Sequence, residues 1–237
     1  TTYSECFQWF IAPTTVAGTN PDPAMAPDVI NNSWSCPPSE GCTTPDILLT
    51  VVENTRAAGI LVAVSAGNSG SLGCESINTP AAIYDASFTV GATGFQTDAM
   101  AGYSSRGPVT VDGSNRMKPD VSAPGSSVRS SVPGGGYSSS SGTSMAGPHV
   151  AGLVALLLSA KPALAGDVDA IEQVIRDSAF QPSFGGACGV GPGVFPNNTY
   201  GAGRIDALAA VQLALAGMPF ADGFESGDTG AWSSAIP

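Results

Sequence analysis

The sequence is poor in positive charge and in long apolar runs. Its 237 residues include 8 Lys and Arg against 19 Asp and Glu, which gives a net charge of −11 at pH 7. A protein that binds the phosphate backbone of a nucleic acid needs a basic surface, so this net negative charge argues against nucleic acid as a partner. The longest apolar run, Gly152–Leu158, falls well short of the roughly 20 residues that cross a bilayer. We therefore predict no membrane span.

Histidine and closely paired cysteines, the usual zinc ligands, are nearly missing. There is one histidine, and none of the five cysteines has CxxC spacing, which argues against a metal site. Disulfides fit these cysteines better. Cys36 and Cys42 flank a short segment rich in Pro and Gly, which leaves Cys74 with Cys188 as a second pair. Cys6 is left over: either its partner lies on another polypeptide or upstream in a precursor, or it is a free buried thiol.

The sequence does contain enough apolar residues for one large domain. They make up 43% of the chain, and the 30 Gly and 19 Pro indicate many tight connections. We assign residues 1–216 to this domain. Residues 217–237 combine acidic, glycine and aromatic residues without helical spacing and are interpreted as an appended tail. Residues 1–8 lack the basic start and apolar block of a signal peptide, which indicates a processed or excised chain.

A strand, a helix and a second strand follow one another early in the chain. The strands are 28–34 and 60–65, and between them Thr44 caps a helix that begins at Pro45 and ends at Gly59. Because strands joined by a helical crossover lie parallel, this order predicts an α/β fold with a mainly parallel sheet. The other predicted elements are strands at 87–92 and 120–123 and helices at 145–158, 167–178 and 206–216. The first of these helices is apolar all round, which predicts that it is buried.

A serine occupies the junction of a glycine-bearing loop and this apolar helix. In the segment SGTSMAGPHVAG, which is Ser141–Gly152, the residue at the junction is Ser144. Backbone N–H groups and the macrodipole at a helix start would stabilise an oxyanion formed in acyl transfer. A hydroxyl there is also what an ordinary helix cap needs. Spacing alone leaves both interpretations open.

Two motifs resemble those of the subtilisin-like serine peptidases, the subtilase family. GTSMAGPHVAG, from Gly142, is similar to the family's serine motif nearly letter for letter, and SAGNSG, from Ser65, resembles its oxyanion-asparagine motif. The resemblance covers most of Asp28–Leu215. It implies that Ser144 is the nucleophile and that the Asn68 side chain and the Ser144 backbone N–H bind the oxyanion. It also implies the family's three-layer α/β fold, of which this chain would be the C-terminal part.

Within the family, APDVINNSWS and VRSSVPG most resemble segments of bacillopeptidase F-type enzymes. The resemblance implies a secreted serine endopeptidase that acts on proteins or peptides, with substrate pairing its backbone along a strand edge. It assigns no cofactor, and it leaves open a structural calcium ion held by backbone carbonyls near Pro80–Ala86. The predicted substrate-binding residues are Ser33, Trp34 and Ser35 along the edge and Ser65, Ala66 and Gly67 in the wall of the pocket for the side chain before the cut.

The sequence lacks a residue suited to act as the catalytic base. A serine hydroxyl needs a base to take its proton, and the base needs an orienting carboxylate. His149 lies five residues beyond Ser144 on the same helix, rotated by roughly 140° at 3.6 residues per turn, so its ring is badly placed to reach that hydroxyl. Nothing in residues 1–68 resembles the family's aspartate and histidine motifs. The aspartates assigned structural roles are Asp22, Asp28, Asp46 and Asp120.

Three hypotheses account for the missing pair. In the first, an N-terminal fragment of the same precursor supplies the aspartate, the histidine and partner strands, and the chain is active only with it; the start at Thr1 in the middle of the expected fold and the odd Cys6 favour this hypothesis. In the second, the chain is a piece of one continuous enzyme. In the third, it is a catalytically inactive binding or scaffolding protein of the subtilase fold. The intact surroundings of Ser144 and Asn68 argue against the third.

Overall fold

The computed structural model describes residues 2–183 and 188–216. The predicted tail, 217–237, lies outside these residues. The helices are α1 (Thr2–Ile11), α2 (Leu49–Ala57), α3 (Thr143–Ala160), α4 (Val168–Asp177) and α5 (Ala207–Leu215). The strands are β1 (Val29–Asn32), β2 (Leu61–Ser65), β3 (Phe88–Thr93), β4 (Val121–Pro124), β5 (Val128–Val132) and β6 (Gly136–Ser140).

Four parallel strands form the central sheet in the order β1-β2-β3-β4. The register of the first pair sets Val29 opposite Leu61. All of β2 is buried, and its successive side chains point to opposite faces of the sheet. Leu61 and Ala63 enter one core, whereas Val62 and Val64 enter the other. The predicted α/β fold with a parallel sheet is confirmed.

Helices cover both faces of this sheet. On one face α3 packs against all four strands and against α5, in a core that includes Phe88 and Leu153. On the other face α1 and α2 pack together, in a core that includes Phe7 and Val52. A sheet between two helical layers is the predicted three-layer arrangement.

Helix α2 begins about one turn later than its predicted start at Pro45. The hydroxyl of Tyr84 donates to the Pro45 carbonyl at 2.7 Å and accepts from the Leu48 N–H at 3.1 Å. The first predicted turn therefore forms a separate turn that is bonded to Tyr84, with the Leu49 N–H donating to the Asp46 carbonyl at 2.9 Å, and Thr44 is not the cap. The predicted end is confirmed, since Gly59 follows the helix with φ of 84°, a conformation that glycine adopts freely.

One helix and one hairpin have no counterpart among the predicted elements. Helix α1 packs through Phe7 and through the ring of Tyr3, which stacks on Trp34 with 4.3 Å between centroids. Strands β5 and β6 form an antiparallel hairpin, with Arg129 opposite Ser139. Nearly every residue of this hairpin is exposed. It therefore has no alternation of apolar and polar residues by which a strand is recognised.

Helix α3 is only partly buried, contrary to the prediction. One side packs on the sheet, but Pro148, Gly152, Ala155 and Leu156 are exposed, Leu156 by 53%. By length and composition α3 is the one helix among the described residues that could cross a membrane, with mean hydropathy 1.4 and 39% of its 18 residues buried. Its packing against four strands accounts for part of that apolar composition, and the remainder faces outward.

Both predicted disulfides are present. The Cα atoms of Cys36 and Cys42 are 5.6 Å apart, and those of Cys74 and Cys188 are 5.3 Å apart, within the usual range for such bonds. Cys6 is free and exposed on α1. The alternative that Cys6 is a buried thiol is therefore wrong.

A set of partly buried ion pairs, hereafter the ion-pair network, joins α2, α4 and the sheet. Glu172, which is 3% exposed, pairs with Arg56 and, at 3.0 Å, with Arg176. Arg176 also reaches Asp120 at 3.2 Å, and Asp120 pairs with the buried Lys118 at 2.6 Å. Asp120 Oδ2 also accepts from the Thr89 N–H at 2.7 Å, a structural contact with a backbone donor.

Candidate active site

Ser144 lies in the first turn of α3, partly exposed. The chain enters the helix through Gly142, whose φ of 155° favours glycine, and Thr143 is the first helical residue. The Ser144 N–H is therefore among the first backbone donors of the helix, which have no carbonyl partner within it. A backbone donor is thereby held next to the Ser144 hydroxyl.

Asn68 follows β2 and is oriented by Thr143. Its Oδ1 accepts from the Thr143 N–H at 2.9 Å and from the Thr143 hydroxyl at 3.1 Å. A backbone N–H can only donate, so this contact fixes which end of the amide is oxygen and leaves the Nδ2 group as a donor. The Thr143 hydroxyl also accepts from the Gly67 N–H at 3.2 Å. One threonine thus locks the start of α3 to the asparagine loop.

The Nδ2 group of Asn68 lies over the entry to α3. A Cβ added at Gly142 would lie 3.4 Å from Asn68 Nδ2, so the side-chain amide stands close to the residue before the helix. The Ser144 N–H belongs to the same turn. Two hydrogen-bond donors without a described acceptor therefore lie at the start of α3, which is the arrangement that stabilises an oxyanion.

Ser33, just beyond β1, is bonded to Ser144 in two ways. Pro148 has no N–H, so the Ser144 carbonyl four residues earlier loses its helical partner. The Ser33 hydroxyl donates to this carbonyl at 3.1 Å, and the Ser144 hydroxyl donates to the Ser33 carbonyl at 3.4 Å. Asn31 Nδ2 in turn donates to Ser33 Oγ at 2.9 Å. Sequence analysis missed this contact, although a proline four residues after the serine is a readable signal.

His149 is bonded within its own helix rather than to the nucleophile. Its Nδ1 lies 2.9 Å from the Met145 carbonyl, while the hydroxyl of Ser144 is directed to Ser33. No hydrogen bond joins the ring of His149 to Ser144 in the described structure. The geometry therefore agrees with the prediction that His149 is not the base.

The predicted substrate-binding residues fall into two groups in the structure. Ser65 and Ala66 are buried at the end of β2, and Ser65 Oγ lies 3.5 Å from Ser33 Oγ, so the predicted edge and wall meet beside Ser144. The ring of Trp34 is instead covered by α1. Their roles toward substrate stay predictions.

A cavity of about 530 Å³ opens beside Ser144, between α3 and the β5–β6 hairpin. Its lining includes Met145, Pro148 and His149 from the helix and Arg129 from the hairpin. None of the predicted substrate-binding residues lines it. Sequence analysis missed the hairpin and therefore this wall of the site.

An arginine contacts the segment Pro80–Ala86, near which the resemblance leaves open a structural calcium ion. Arg116 Nη1 donates to the Ile83 carbonyl, and the same guanidinium pairs with Asp112 at 3.1 Å. Burial alone would raise the pKa of Asp112, but hydrogen bonds from Ser114 and the charge of Arg116 lower that pKa below its usual value. A calcium ion in this segment stays an alternative that the resemblance leaves open.

Comparison with known proteins agrees with this geometry. The sequence matches the Subtilase family over residues 6–203. It is 39% identical over 230 residues to bacillopeptidase F of Bacillus subtilis (strain 168), covering 92% of this chain and 14% of that protein. It is 42% identical over 135 residues to subtilisin E of the same strain, covering 57% of this chain and 32% of that protein.

Among solved structures, a protease from Pseudoalteromonas arctica PAMC 21717 matches with a TM-score of 0.64 and 28% identity, covering 90% of this chain and 59% of that one. The chain therefore spans less than two thirds of each of these relatives. The predicted subtilase fold and the resemblance to bacillopeptidase F-type enzymes are confirmed. The chain belongs to the subtilase family.

Proposed function

We propose that this chain is the nucleophile-bearing part of a serine endopeptidase. The observation that carries the proposal is the contact of Thr143 with Asn68, at 2.9 and 3.1 Å. It holds the Ser144 hydroxyl, the Ser144 N–H and the Asn68 Nδ2 group at one helix start. A helix cap alone would not need the second donor from a separate loop.

In the proposed reaction, Ser144 Oγ attacks the carbonyl carbon of a peptide bond. The Oγ–C bond forms, and the negative charge on the former carbonyl oxygen is met by Asn68 Nδ2 and the Ser144 N–H. Collapse of this intermediate breaks the C–N bond, and the amine leaves with the proton that the base took from the hydroxyl. Water then releases the acyl group and restores Ser144.

The base and its orienting aspartate come, in this proposal, from a segment N-terminal to these 237 residues. His149 is bonded to Met145, and it is the one histidine of the 237 residues. A fragment of the same precursor is the proposed source, and the upstream part of one continuous chain would supply the same groups.

Exposed apolar surface supports the proposal of an N-terminal partner segment. The outward side of α3 presents Gly152, Ala155 and Leu156, and no described strand pairs with the free edge of β1. An unpaired edge beside an exposed apolar helix is a surface that folded proteins cover. The proposed segment packs there, adds strands next to β1 and brings the histidine to Ser144.

The proposed substrates are proteins or peptides bound in extended form, and the proposed location is outside the cell. The residues before the cut pair along Ser33–Ser35 and place a side chain against Ser65–Gly67. Two disulfides favour an oxidising compartment. In an oxidising compartment the exposed thiol of Cys6 can pair with a cysteine of the partner segment.

Two measurements test this proposal. A fluorophosphonate probe should label Ser144 in the protein isolated from its source, because only a base-activated serine reacts rapidly. Intact mass spectrometry under denaturing conditions, with and without reductant, should then detect the segment that carries the aspartate and histidine, either as a second polypeptide or as part of a longer chain. A folded 237-residue chain that is isolated alone and does not react with the probe would instead support a binding or scaffolding protein.

A further inference from the structure

Glu40 is an exposed acid that the fold holds in one place. It ends the short turn Pro38–Glu40, inside the loop that the Cys36–Cys42 disulfide closes. Its backbone N–H donates to the Pro37 carbonyl at 2.9 Å, and its carboxylate accepts from the hydroxyl of Tyr3 on α1. This bond raises the pKa of Tyr3, so the hydroxyl stays protonated and donates at neutral pH. A carboxylate fixed in advance loses less rotamer freedom when it binds a ligand.

The same tyrosine places this carboxylate beside the predicted substrate edge. The Tyr3 hydroxyl lies 3.4 Å from the Ser35 carbonyl oxygen, so the Glu40 carboxylate and the Ser35 backbone contact one and the same O–H group. The ring of Tyr3 is itself held by stacking on Trp34, with 4.3 Å between centroids. The carboxylate of Glu40 therefore lies next to the last residue of the edge Ser33–Ser35.

No positive charge neutralises Glu40 within the ranges 2–183 and 188–216. It forms no ion pair with any residue there. Residues 1–55 contain no Lys, Arg or His at all, whereas several acidic residues lie among them. A carboxylate without a counter-charge, on a part of the chain that carries only negative charges, attracts a cation.

The spacing along the edge determines which part of the substrate meets Glu40. Ser33 is bonded to Ser144, so in the proposed function the residue just before the cut lies beside Ser33. Extended chains advance about 3.3 Å per residue, and Ser35 is two residues further from the nucleophile, so it lies beside the third residue before the cut. Glu40 is therefore placed to meet a side chain at the second to fourth positions before the cut.

We propose that Glu40 binds a positively charged group of the substrate, so that the enzyme prefers Lys or Arg at the second to fourth positions before the cut bond. The proposal rests on the proposed function and specifies its substrate class. Ammonium and guanidinium groups both donate to a carboxylate. A free amino terminus has the same charge, so peptides that begin at these positions are a second source of the cation.

The test uses active enzyme isolated from its source and fluorogenic peptides that differ only before the cut. Peptides with Arg, Lys, Gln or Glu at each of the second to fourth positions are compared, each with an acetylated or a free amino terminus. For the wild-type enzyme we expect kcat/KM for acetylated Arg and Lys peptides to exceed that for Gln by about two- to fivefold, the size of an exposed ion pair. Added salt should reduce this ratio.

The matched variants are Glu40→Gln, Tyr3→Phe and Glu53→Gln. Glu40→Gln should bring the ratio of Arg to Gln to one. Tyr3→Phe keeps the charge of Glu40 but removes the hydroxyl that places it, and it should lower the ratio in part. Glu53→Gln removes an equal charge from an exposed position on α2 and should leave the ratio unchanged. A preference that appears only with free amino termini would overturn the preference for Lys and Arg.

The two proposals fail in different ways. Hydrolysis of all peptides with no preference for a cation, or an equal preference in Glu40→Gln, overturns the assignment of Glu40 and leaves the peptidase intact. The same result is expected if the partner segment covers Glu40. Absence of hydrolysis together with absence of probe labelling at Ser144 overturns the peptidase itself.

Discussion

Two polar clusters of the described structure, the site around Ser144 and the ion-pair network around Glu172, are built in opposite ways. In the network every charge faces an opposite charge, and Glu172 is 3% exposed between two arginines. At the site the groups are neutral and partly exposed, and the donors at Asn68 and Ser144 have no described acceptor. Saturated groups hold a fold together, whereas donors without acceptors are free to meet a ligand.

The largest expected effect is that of Ser144→Ala, which removes the nucleophile of the site and leaves the ion-pair network intact. We expect peptide hydrolysis by the active enzyme to fall by about 10⁶-fold, the loss known for subtilisin itself, with an unchanged Tm. Steady-state kinetics and thermal melts on the same preparation measure both. Substantial residual hydrolysis that survives repurification would mean that another residue is the nucleophile.

Asn68→Ala removes the second oxyanion donor and keeps the nucleophile. Turnover should fall by about 100- to 1000-fold, again the range known for subtilisin, while KM changes little because the donor acts mainly on the transition state. Stability should also fall, by about 1 kcal/mol or more, because the substitution removes the acceptor of the buried Thr143 N–H and hydroxyl. A rise in KM with normal kcat would show instead that Asn68 binds ground-state substrate.

Glu172→Gln tests the ion-pair network. It removes the buried partner of Arg56 and Arg176, and each arginine keeps a second carboxylate. We therefore expect a loss of about 1.5–3 kcal/mol in the free energy of unfolding, the contribution of hydrogen bonds to charged groups. Glu53→Gln, an exposed position on α2, is the matched control and should change stability little. Urea unfolding measures both, and kcat per folded molecule should stay at the wild-type value in each variant.

Ser33→Ala tests a structural contact within the site, because Ser33 supports the helix that carries the nucleophile. Without its hydroxyl the Ser144 carbonyl loses the partner that replaces the missing N–H of Pro148. We expect a loss of about 1 kcal/mol in stability and about tenfold in kcat through misplacement of Ser144. Ser159→Ala, at the far end of α3, is the control; equal kcat in both variants would refute the positioning role.

The smallest expected effect concerns Tyr84, which lies away from both clusters. Burial raises the pKa of Tyr84 to about 12 from 10.0. Its neutral hydroxyl therefore contributes stability that is complete below pH 10 and declines as the pH rises toward 12. Tyr84→Phe should lose this dependence. Unfolding measured at intervals from pH 9 to 12 compares the two proteins, and identical profiles would contradict the assignment.

Much of the fold could be predicted because its signals are local. Apolar runs indicated β2 and β3, and aspartates at 167 and 206 mark the starts of α4 and α5, where each side chain accepts from a helical N–H. The start of α2 could not be predicted, since it depends on Tyr84, far along the chain. The hairpin also escaped prediction because it has no buried face.

The candidate site was also predictable only in part. Ser144 and Asn68 could be singled out because each lies in a motif with a chemical reason for its residues, and the structure brings them together through Thr143. The contact of Ser33 with the Ser144 carbonyl depends on a long-range approach of β1 to α3. Pro148 shows in the sequence that the Ser144 carbonyl needs a partner, but no local pattern identifies Ser33 as that partner.

The measurement that tests the central claim most directly is the rate of fluorophosphonate labelling of Ser144. It is compared between the 237-residue chain expressed and refolded alone and the protein isolated from its source. If the base lies outside this sequence, the isolated protein should react rapidly and the chain alone should not, even when it is folded. Equal rates would mean that the base lies within these residues, with His149 as the first candidate, and would contradict the account.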